Sequence, residues 1–311
     1  MAKPRNKTLD YLAYLGVRLF AMFVHMFDWH ANYRTARWLG DLMFRFDRRH
    51  RTIATTHLRL SFPDWPDKKV RKVARASMRS MVYLALEMLF TPRVLTPERW
   101  REHIRLANQR ENLRLLTRRE TGIVYIAGHF GNWEIVGYTM AVLGFPGYAV
   151  ARPLDNPYLN KYLMGVREQA GLTILDKTGA SAMMDDILEN KRYVAFIADQ
   201  DAGRKGLFVD FFGRKASTFK APALMAIRYE VPVVVGYGLR LGEGFEFEIG
   251  IERMIHPHEW ADKDDPLRWL TQEYTAALEN VARRAPEQYL WAHRRWKHRP
   301  KGEPPAIGGV A

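Results

Sequence analysis

Apolar residues recur at two different periods along this chain, and the change of period divides it. Over residues 9–100 they recur at helical spacing. Leu9–Trp29 is strongly apolar; at about 100° per residue, Asp10, Arg18, His25 and Asp28 fall within one sector of about 80°, leaving the rest of the helix apolar. Thr35–Arg51 predicts an amphipathic helix with Trp38, Leu42 and Phe46 at helical spacing. Pro63 and Pro66 break the pattern, and Asp67 opens a further helix over Lys68–Phe90. From about residue 121, short apolar runs alternate with helical windows. Strands are predicted at Ile123–Ala127, Tyr148–Ala151, Leu172–Leu175, Tyr193–Ala198 and Val231–Leu239, with an edge strand at Phe245–Ile251. Helices are predicted at Asn132–Leu143, Pro157–Ala170, Ala180–Asn190, Ser217–Tyr229 and Pro266–Arg284.

Strand–helix alternation predicts an α/β fold: a central mixed sheet flanked by helices, with an N-terminal helical region before it. The expected organisation is a membrane-contacting helix over 1–30, a helical region over 31–100, an α/β domain over 101–300 and a loose Gly/Pro-rich tail over 301–311. No internal repeat is visible.

Composition narrows the chemistry. Hydrophobic residues make up 47% of 311 positions, enough to bury a sizeable core. The absence of Cys excludes disulfides, thiolate metal sites and a Cys nucleophile. The net charge is +14, and it is uneven: residues 1–60 hold eleven basic and four acidic side chains, residues 289–311 five and one. Basic, aromatic ends suit anionic lipid headgroups or an acidic protein partner. Nucleic acid is the other reading of such charge, but no helix-turn-helix, zinc-finger or ribonucleoprotein pattern supports it. Lys3, Arg5 and Lys7 precede Leu9–Trp29, no signal-cleavage pattern follows, and Arg18 keeps the uncharged runs short of the roughly 18–20 residues of a clean span. The segment either lies against a membrane or crosses it with its polar stripe turned toward protein.

The candidate chemistry lies in Gly128-His-Phe-Gly-Asn-Trp-Glu134, directly after a predicted buried strand, where open α/β sheets place their sites. On one helix, His129 and Glu134 would stand about 140° apart and could not meet. With His129 on the loop and Glu134 in the first helical turn they form a dyad of imidazole base and orienting carboxylate. Gly131 permits the tight turn and Asn132 caps the helix. By spacing alone the stretch reads equally as a capped helix start with a structural His. The His spacing of a zinc metalloprotease helix is absent, and His256-Pro-His258 reads as surface. Neither a Ser nucleophile elbow nor a Walker-type phosphate loop is present. No metal and no cofactor is expected.

Gly-His-Phe-Gly-Asn-Trp-Glu resembles the His-x-x-x-x-acidic signature of the glycerolipid acyltransferase superfamily, in the form found in the bacterial lipid A biosynthesis (lauroyl/myristoyl) acyltransferases. Ala149-Val-Ala-Arg-Pro153, Ala198-Asp-Gln-Asp-Ala-Gly203, Phe208-Val-Asp-Phe-Phe-Gly213, Val231-Pro-Val-Val-Val235 and Pro286-Glu-Gln-Tyr-Leu-Trp-Ala-His-Arg-Arg-Trp296 extend the likeness over about residues 10–298. The resemblance implies a membrane-associated O-acyltransferase on the cytoplasmic face of the bacterial inner membrane. Its donor would be acyl carrier protein and its acceptor an anionic glycolipid, a lipid A precursor. His129 would be the general base and Glu134 its orienting carboxylate. Asn132, Arg152, Arg167 and Asp199 would be substrate-binding, the arginines on phosphate or a developing oxyanion. Another glycolipid or phospholipid acyltransferase using acyl-CoA, such as a phosphatidylinositol mannoside acyltransferase, is the nearest alternative. A non-catalytic basic membrane- or nucleic-acid-binding protein would explain the charge but not the motif.

Overall fold

A computed structural model describes residues 6–169 and 171–303. Lys3, Arg5 and the tail from residue 304 lie outside them. Four helices come first: α1 (Lys7–Val24), α2 (Trp29–Phe46), α3 (Arg48–Ser61) and α4 (Asp67–Val94). Local capping sets their ends. Asn6 accepts from the amides of Thr8 and Leu9, Asp28 from Ala31, and Asp47 from His50. Asp47 therefore cuts the single helix expected over Thr35–Arg51 into two, because its carboxylate starts a new helix where the periodicity alone runs on. Among the described residues no helix is long and apolar enough to cross a membrane.

The α/β part follows as β1 (Ile104–Ala107), α5 (Arg110–Arg118), β2 (Ile123–Ala127), α6 (Trp133–Val142), β3 (Gly147–Ala151), α7 (Pro157–Glu168), β4 (Leu172–Asp176), α8 (Lys177–Glu189) and β5 (Tyr193–Ile197). Then come β6 (Leu207–Phe211), β7 (Arg214–Thr218), α9 (Ala221–Arg228), β8 (Val233–Arg240), β9 (Phe247–Ile255) and α10 (Pro266–Arg284). Seven strands form one sheet in the order β1-β9-β8-β2-β5-β3-β4, parallel except between β8 and β9. This is the mixed α/β sheet with a helical N-terminal region that the pattern predicts. Three local expectations differ. β9 is not an edge strand, since the short β1 pairs with it in parallel. Ser217 and Thr218 belong to the hairpin β6–β7, not to a helix, and their side chains are buried as that hairpin packs near α10. β1 and α5 were not legible, being a four-residue strand and a helix of largely polar residues.

The main core runs without interruption from Ala54, Leu58, Val70 and Met78 of the helical region to Val124, Val194, Val233 and Val235 of the sheet. The segment after α10 crosses this junction. Tyr289 bridges Phe130, the Leu290 amide donates to the His129 carbonyl at 2.9 Å, and the Gly131 amide donates to the Gln288 carbonyl at 3.0 Å. The Gly131 backbone has φ +56°, and a Cβ there would stand 2.0 Å from the Gly238 carbonyl oxygen, so only glycine lets the loop pass this close to β8.

The same C-terminal segment buries His57 of α3. Its Nδ1–H donates to the Trp291 carbonyl at 3.2 Å, and its ring lies edge-on to Trp296. Burial lowers the His57 pKa to about 4 from an ordinary 6.5, with the Trp291 bond opposing. An unfolded chain takes up this proton near 6.5 and the folded one only near 4. The stability from keeping the ring neutral is therefore complete above the upper value and is lost as pH falls toward the lower one. A shift of this size is worth roughly 3 kcal/mol. The urea midpoint should fall between neutral pH and mild acid, and His57→Gln should flatten part of that fall. An equally steep loss in a folded His57→Gln protein would assign the acid sensitivity elsewhere.

Candidate active site

Parallel pairing of neighbouring strands creates the site. β2 and β5 run side by side with Ala127 opposite Ile197, and the Ala198 amide donates to the Ala127 carbonyl. Two residues beyond each strand, at the carboxyl end of the sheet, stand His129 and Asp199. The Asp199 carboxylate receives the His129 backbone amide at 2.8 Å and the imidazole Nδ1–H at 2.6 Å. These two bonds fix the loop and the ring together, and they leave Nε2 as the basic nitrogen. Nε2 faces the Gln200 side-chain amide at 3.2 Å, and the ring packs edge-on against Trp133.

Asp199 is 3% exposed. Burial opposes its charge, but the His129 imidazole, its two hydrogen bonds and the Arg295 guanidinium outweigh this and hold the carboxyl below the usual carboxylate range. Behind it, the Tyr289 phenol is raised well above its ordinary value, first by burial and then by the Asp199 charge. His293 is lowered to about 4, again by burial first.

Glu134 sits in the first turn of α6, as its position five residues after His129 requires, but its carboxylate is engaged elsewhere. Arg167 of α7 donates to it through Nε at 2.8 Å and Nη2 at 2.5 Å, a two-pronged pair in which both side chains are largely buried. Trp133 Nε1 adds a third bond at 3.2 Å. Glu134 thus holds Arg167, while Asp199 occupies the position at His129 Nδ1 that sequence spacing gave to Glu134. The physical reason is register: a carboxylate on the adjacent parallel strand end reaches Nδ1 directly, whereas the helix turns Glu134 toward α7.

Two residues expected to touch substrate do not face it. Asn132 is fully buried; its side chain accepts from the Ile135 amide at 3.0 Å and donates to Glu87 at 3.0 Å, so it caps α6 and ties that helix to α4. Asp199 serves His129, as described. Arg152, after β3, has a side chain 86% exposed and only Asp155 near it, at 3.8 Å. The structure therefore gathers His129, Asp199, Gln200, Trp133, Glu134 and Arg167, and leaves Arg152 outside. Gln200 went unnoticed in the sequence, where nothing but its place in Asp-Gln-Asp marked it. Among the described residues no group of three or more His, Asp or Glu side chains could hold a metal ion.

An apolar cavity opens beside the Glu134–Arg167 pair and runs between α6 and the sheet. Successive inward positions carve it: Ala149 and Ala151 on β3, Ala195 and Ile197 on β5. At its far end Tyr193 closes it, with its hydroxyl donating to the Phe145 carbonyl at 2.9 Å. Tyr193 also lines a second cavity, at the amino ends of β2, β3 and β5, together with Arg119, Lys191 and Arg192. The first cavity can take an extended hydrocarbon with its polar end at Glu134 and Arg167.

Residues 2–298 match the family model described as bacterial lipid A biosynthesis acyltransferase. The chain is 26% identical over 302 residues to the lipid A biosynthesis lauroyltransferase of Escherichia coli, covering 94% of each protein. It is 25% identical over 272 residues to the lipid A biosynthesis palmitoleoyltransferase of the same organism, covering 85% of this chain and 84% of the relative. A phosphatidylinositol mannoside acyltransferase of Mycobacterium tuberculosis is similar over a shorter stretch, 27% over 132 residues, or 41% of this chain and 42% of the relative. A match of this extent, over a chain whose motif His and its carboxylates converge at one sheet end, places it: the protein is an acyltransferase and belongs to the bacterial lipid A biosynthesis acyltransferase family.

Proposed function

We propose that the chain transfers a fatty acyl group from an acyl carrier protein thioester to a hydroxyl of a lipid A precursor, with His129 as general base oriented by Asp199. The observation that carries this reading is the imidazole whose Nδ1 is fixed by a buried carboxylate and whose ring packs against Trp133, a residue that lines the apolar cavity. The acceptor hydroxyl gives its proton to Nε2 as its oxygen attacks the thioester carbonyl carbon. The resulting oxyanion collapses, the carbon–sulfur bond breaks, and the imidazolium returns the proton to the leaving thiolate. Arg167, held by Glu134, supplies positive charge at the cavity mouth, where the carbonyl oxygen becomes anionic. Glu134 then acts through Arg167, and Asn132 acts by holding the helix that carries Glu134. Arg152 is free to meet phosphates of an anionic acceptor. His129→Ala should slow transfer by roughly 10²–10⁴ while the protein remains folded. Because His129 and Asp199 act as one unit, adding Asp199→Asn to His129→Ala should cost little more. Single-turnover assays beside thermal melts check both, and near-normal turnover by folded His129→Ala removes the reading. Parallel assays with acyl carrier protein and acyl-CoA donors decide the donor.

The cavity is the seat we assign to the donor's acyl chain. From Ile197 to Tyr193 is four strand steps, or about 13 Å. An extended chain advances about 1.2 Å per bond, as three backbone bonds span roughly 3.6 Å. The cavity therefore suits an acyl chain of roughly ten to twelve carbons. Tyr193→Leu should move the preference to longer donors and Ala195→Leu, halfway up the wall, to shorter ones. Competition between donors of graded length reads this out, and unchanged preference in both variants would place the acyl chain elsewhere.

The membrane face of this reading is the outward surface of α1 and α2. Leu9, Leu19, Met22 and Phe23 on α1 are exposed, and so are Trp38 and Phe46 on α2, at 58% and 70%. A basic protein with such a face adsorbs to anionic lipid by apolar insertion and charge together. The variant Leu19→Glu/Phe23→Glu/Trp38→Glu should lose most co-sedimentation with vesicles containing anionic phospholipid. Retention equal to the unsubstituted chain would rule this face out.

A further inference from the structure

Arg295 is a buried cation with no carboxylate in direct contact among the described residues. It is 2% exposed and forms no direct ion pair among the described residues. Its Nη1 donates to the carbonyl oxygens of Gln200 at 3.2 Å and Ser217 at 2.5 Å, and its Nη2 to Thr218 Oγ1 at 2.6 Å. All three acceptors are neutral, and its guanidinium lies over the Phe211 ring at 5.2 Å. Neutral dipoles alone leave a buried charge costly; a nearby opposite charge makes such a position tenable.

The charges around His129 can be paired off. From α6 and α7 come Glu134 and Arg167, which neutralise each other. From the loop after β5 come Asp199 and Asp201; Asp201 is taken by His298 Nδ1 at 2.6 Å and its amide donates to His293 Nε2 at 2.9 Å. From the C-terminal segment come Tyr289, His293, Arg295 and His298. Burial holds Tyr289 and His293 in their neutral forms. Among the described residues, Asp199 has no guanidinium or ammonium in direct contact, and Arg295 has no carboxylate in direct contact. They flank the same three-residue stretch, since Arg295 grips the carbonyl of Gln200, the residue that follows Asp199 and faces His129 Nε2.

We propose that Arg295 is a positioning residue and the counter-charge of Asp199, leaving His129 beside an electrically neutral pair so that the imidazole is fixed by a carboxylate yet remains unprotonated and basic. This rests on the reading of His129 as general base. A lone carboxylate behind an imidazole favours the imidazolium, and a base that already carries its proton cannot accept one from the acceptor hydroxyl. A guanidinium behind the carboxylate removes that bias without removing the Nδ1 hydrogen bond. Its fork also pins the Gln200 backbone, so the same residue sets charge and geometry.

The test uses the full chain in detergent and two readouts. The first is the pH midpoint of the His129 ring signal by NMR, identified by its loss in His129→Gln. The second is the acid limb of the kcat/KM profile for acyl transfer. Arg295→Met should raise both midpoints by about one pH unit, or about tenfold in proton concentration. Arg295→Lys, which keeps the charge and loses the fork, should leave them nearly in place while lowering kcat. An unmoved ring midpoint in folded Arg295→Met overturns the proposal. If the ring midpoint rises and the acid limb does not follow, the counter-charge stands and the general-base reading of His129 fails instead. Should Arg295→Met not fold, the double variant Asp199→Asn/Arg295→Met decides. Removal of both charges should recover most of the melting temperature lost by Asp199→Asn alone, whereas a double variant that melts no higher than Asp199→Asn, or does not fold, would overturn the pairing.

Discussion

One buried carboxylate, Glu87, ties the three parts of this molecule together. It lies in α4 with no exposed surface. Tyr33 of α2 donates to it at 2.6 Å, Asn132 at the start of α6 at 3.0 Å, and Arg240 at the end of β8 grips both of its oxygens. Each partner belongs to a different element, so the helical region, the sheet and the motif helix meet at one charge. Such a site tolerates no partial loss. Removing one partner of a buried ion pair leaves an uncompensated charge and costs about 3–5 kcal/mol. The arrangement explains why Asn132 sits within the motif although it faces no cavity: it transmits the position of α4 to the helix bearing Glu134.

On that frame, the geometry of the candidate site follows from strand pairing. The ends of β2 and β5 are in register, so residues equally far beyond each strand fall side by side. The segment after α10 then closes over the back of the site. Trp291 and Arg295 are buried there, Leu290 binds the His129 carbonyl, and Ser77 of α4 binds the carbonyl of Tyr289. A basic, aromatic stretch that reads as surface in the sequence is in large part interior. Arg295 and Arg299 spend guanidinium hydrogen bonds on backbone carbonyls, while Lys297 and Lys301 stay exposed.

The outer face of the helical region obeys a different constraint. α2 buries Asn32, Tyr33, Ala36, Gly40 and Phe44, and the small Gly40 in that stripe lets it approach α4 closely. A Cβ at Gly40 would stand 2.7 Å from the Arg79 Cα, so the contact needs glycine. The larger apolar residues of the same helix, Trp38, Met43 and Phe46, point outward beside those of α1. Packing density decides this locally: close helix approach selects glycine at position 40, while Trp38, Met43 and Phe46 are left for another solvent.

The sequence by itself determined the fold class and the alternation of buried strands and helices after residue 121, and it singled out Gly128–Glu134 as the candidate site. These rest on short-range physics: periodicity, capping and the placement of sites past strand ends. It also determined the cap at Asn132, whereas the caps at Asp28 and Asp47 emerged only in the structure, because the apolar period runs through both positions. Tertiary structure alone decided the partners. Asp199 meets His129 across 70 residues, Arg167 meets Glu134 across 33, and Glu87 meets Arg240 across 153, because strand register and helix packing choose contacts that no spacing encodes. It also decided which apolar face of α2 is core and which is not, since amphipathicity gives a helix two sides but does not say what each will touch.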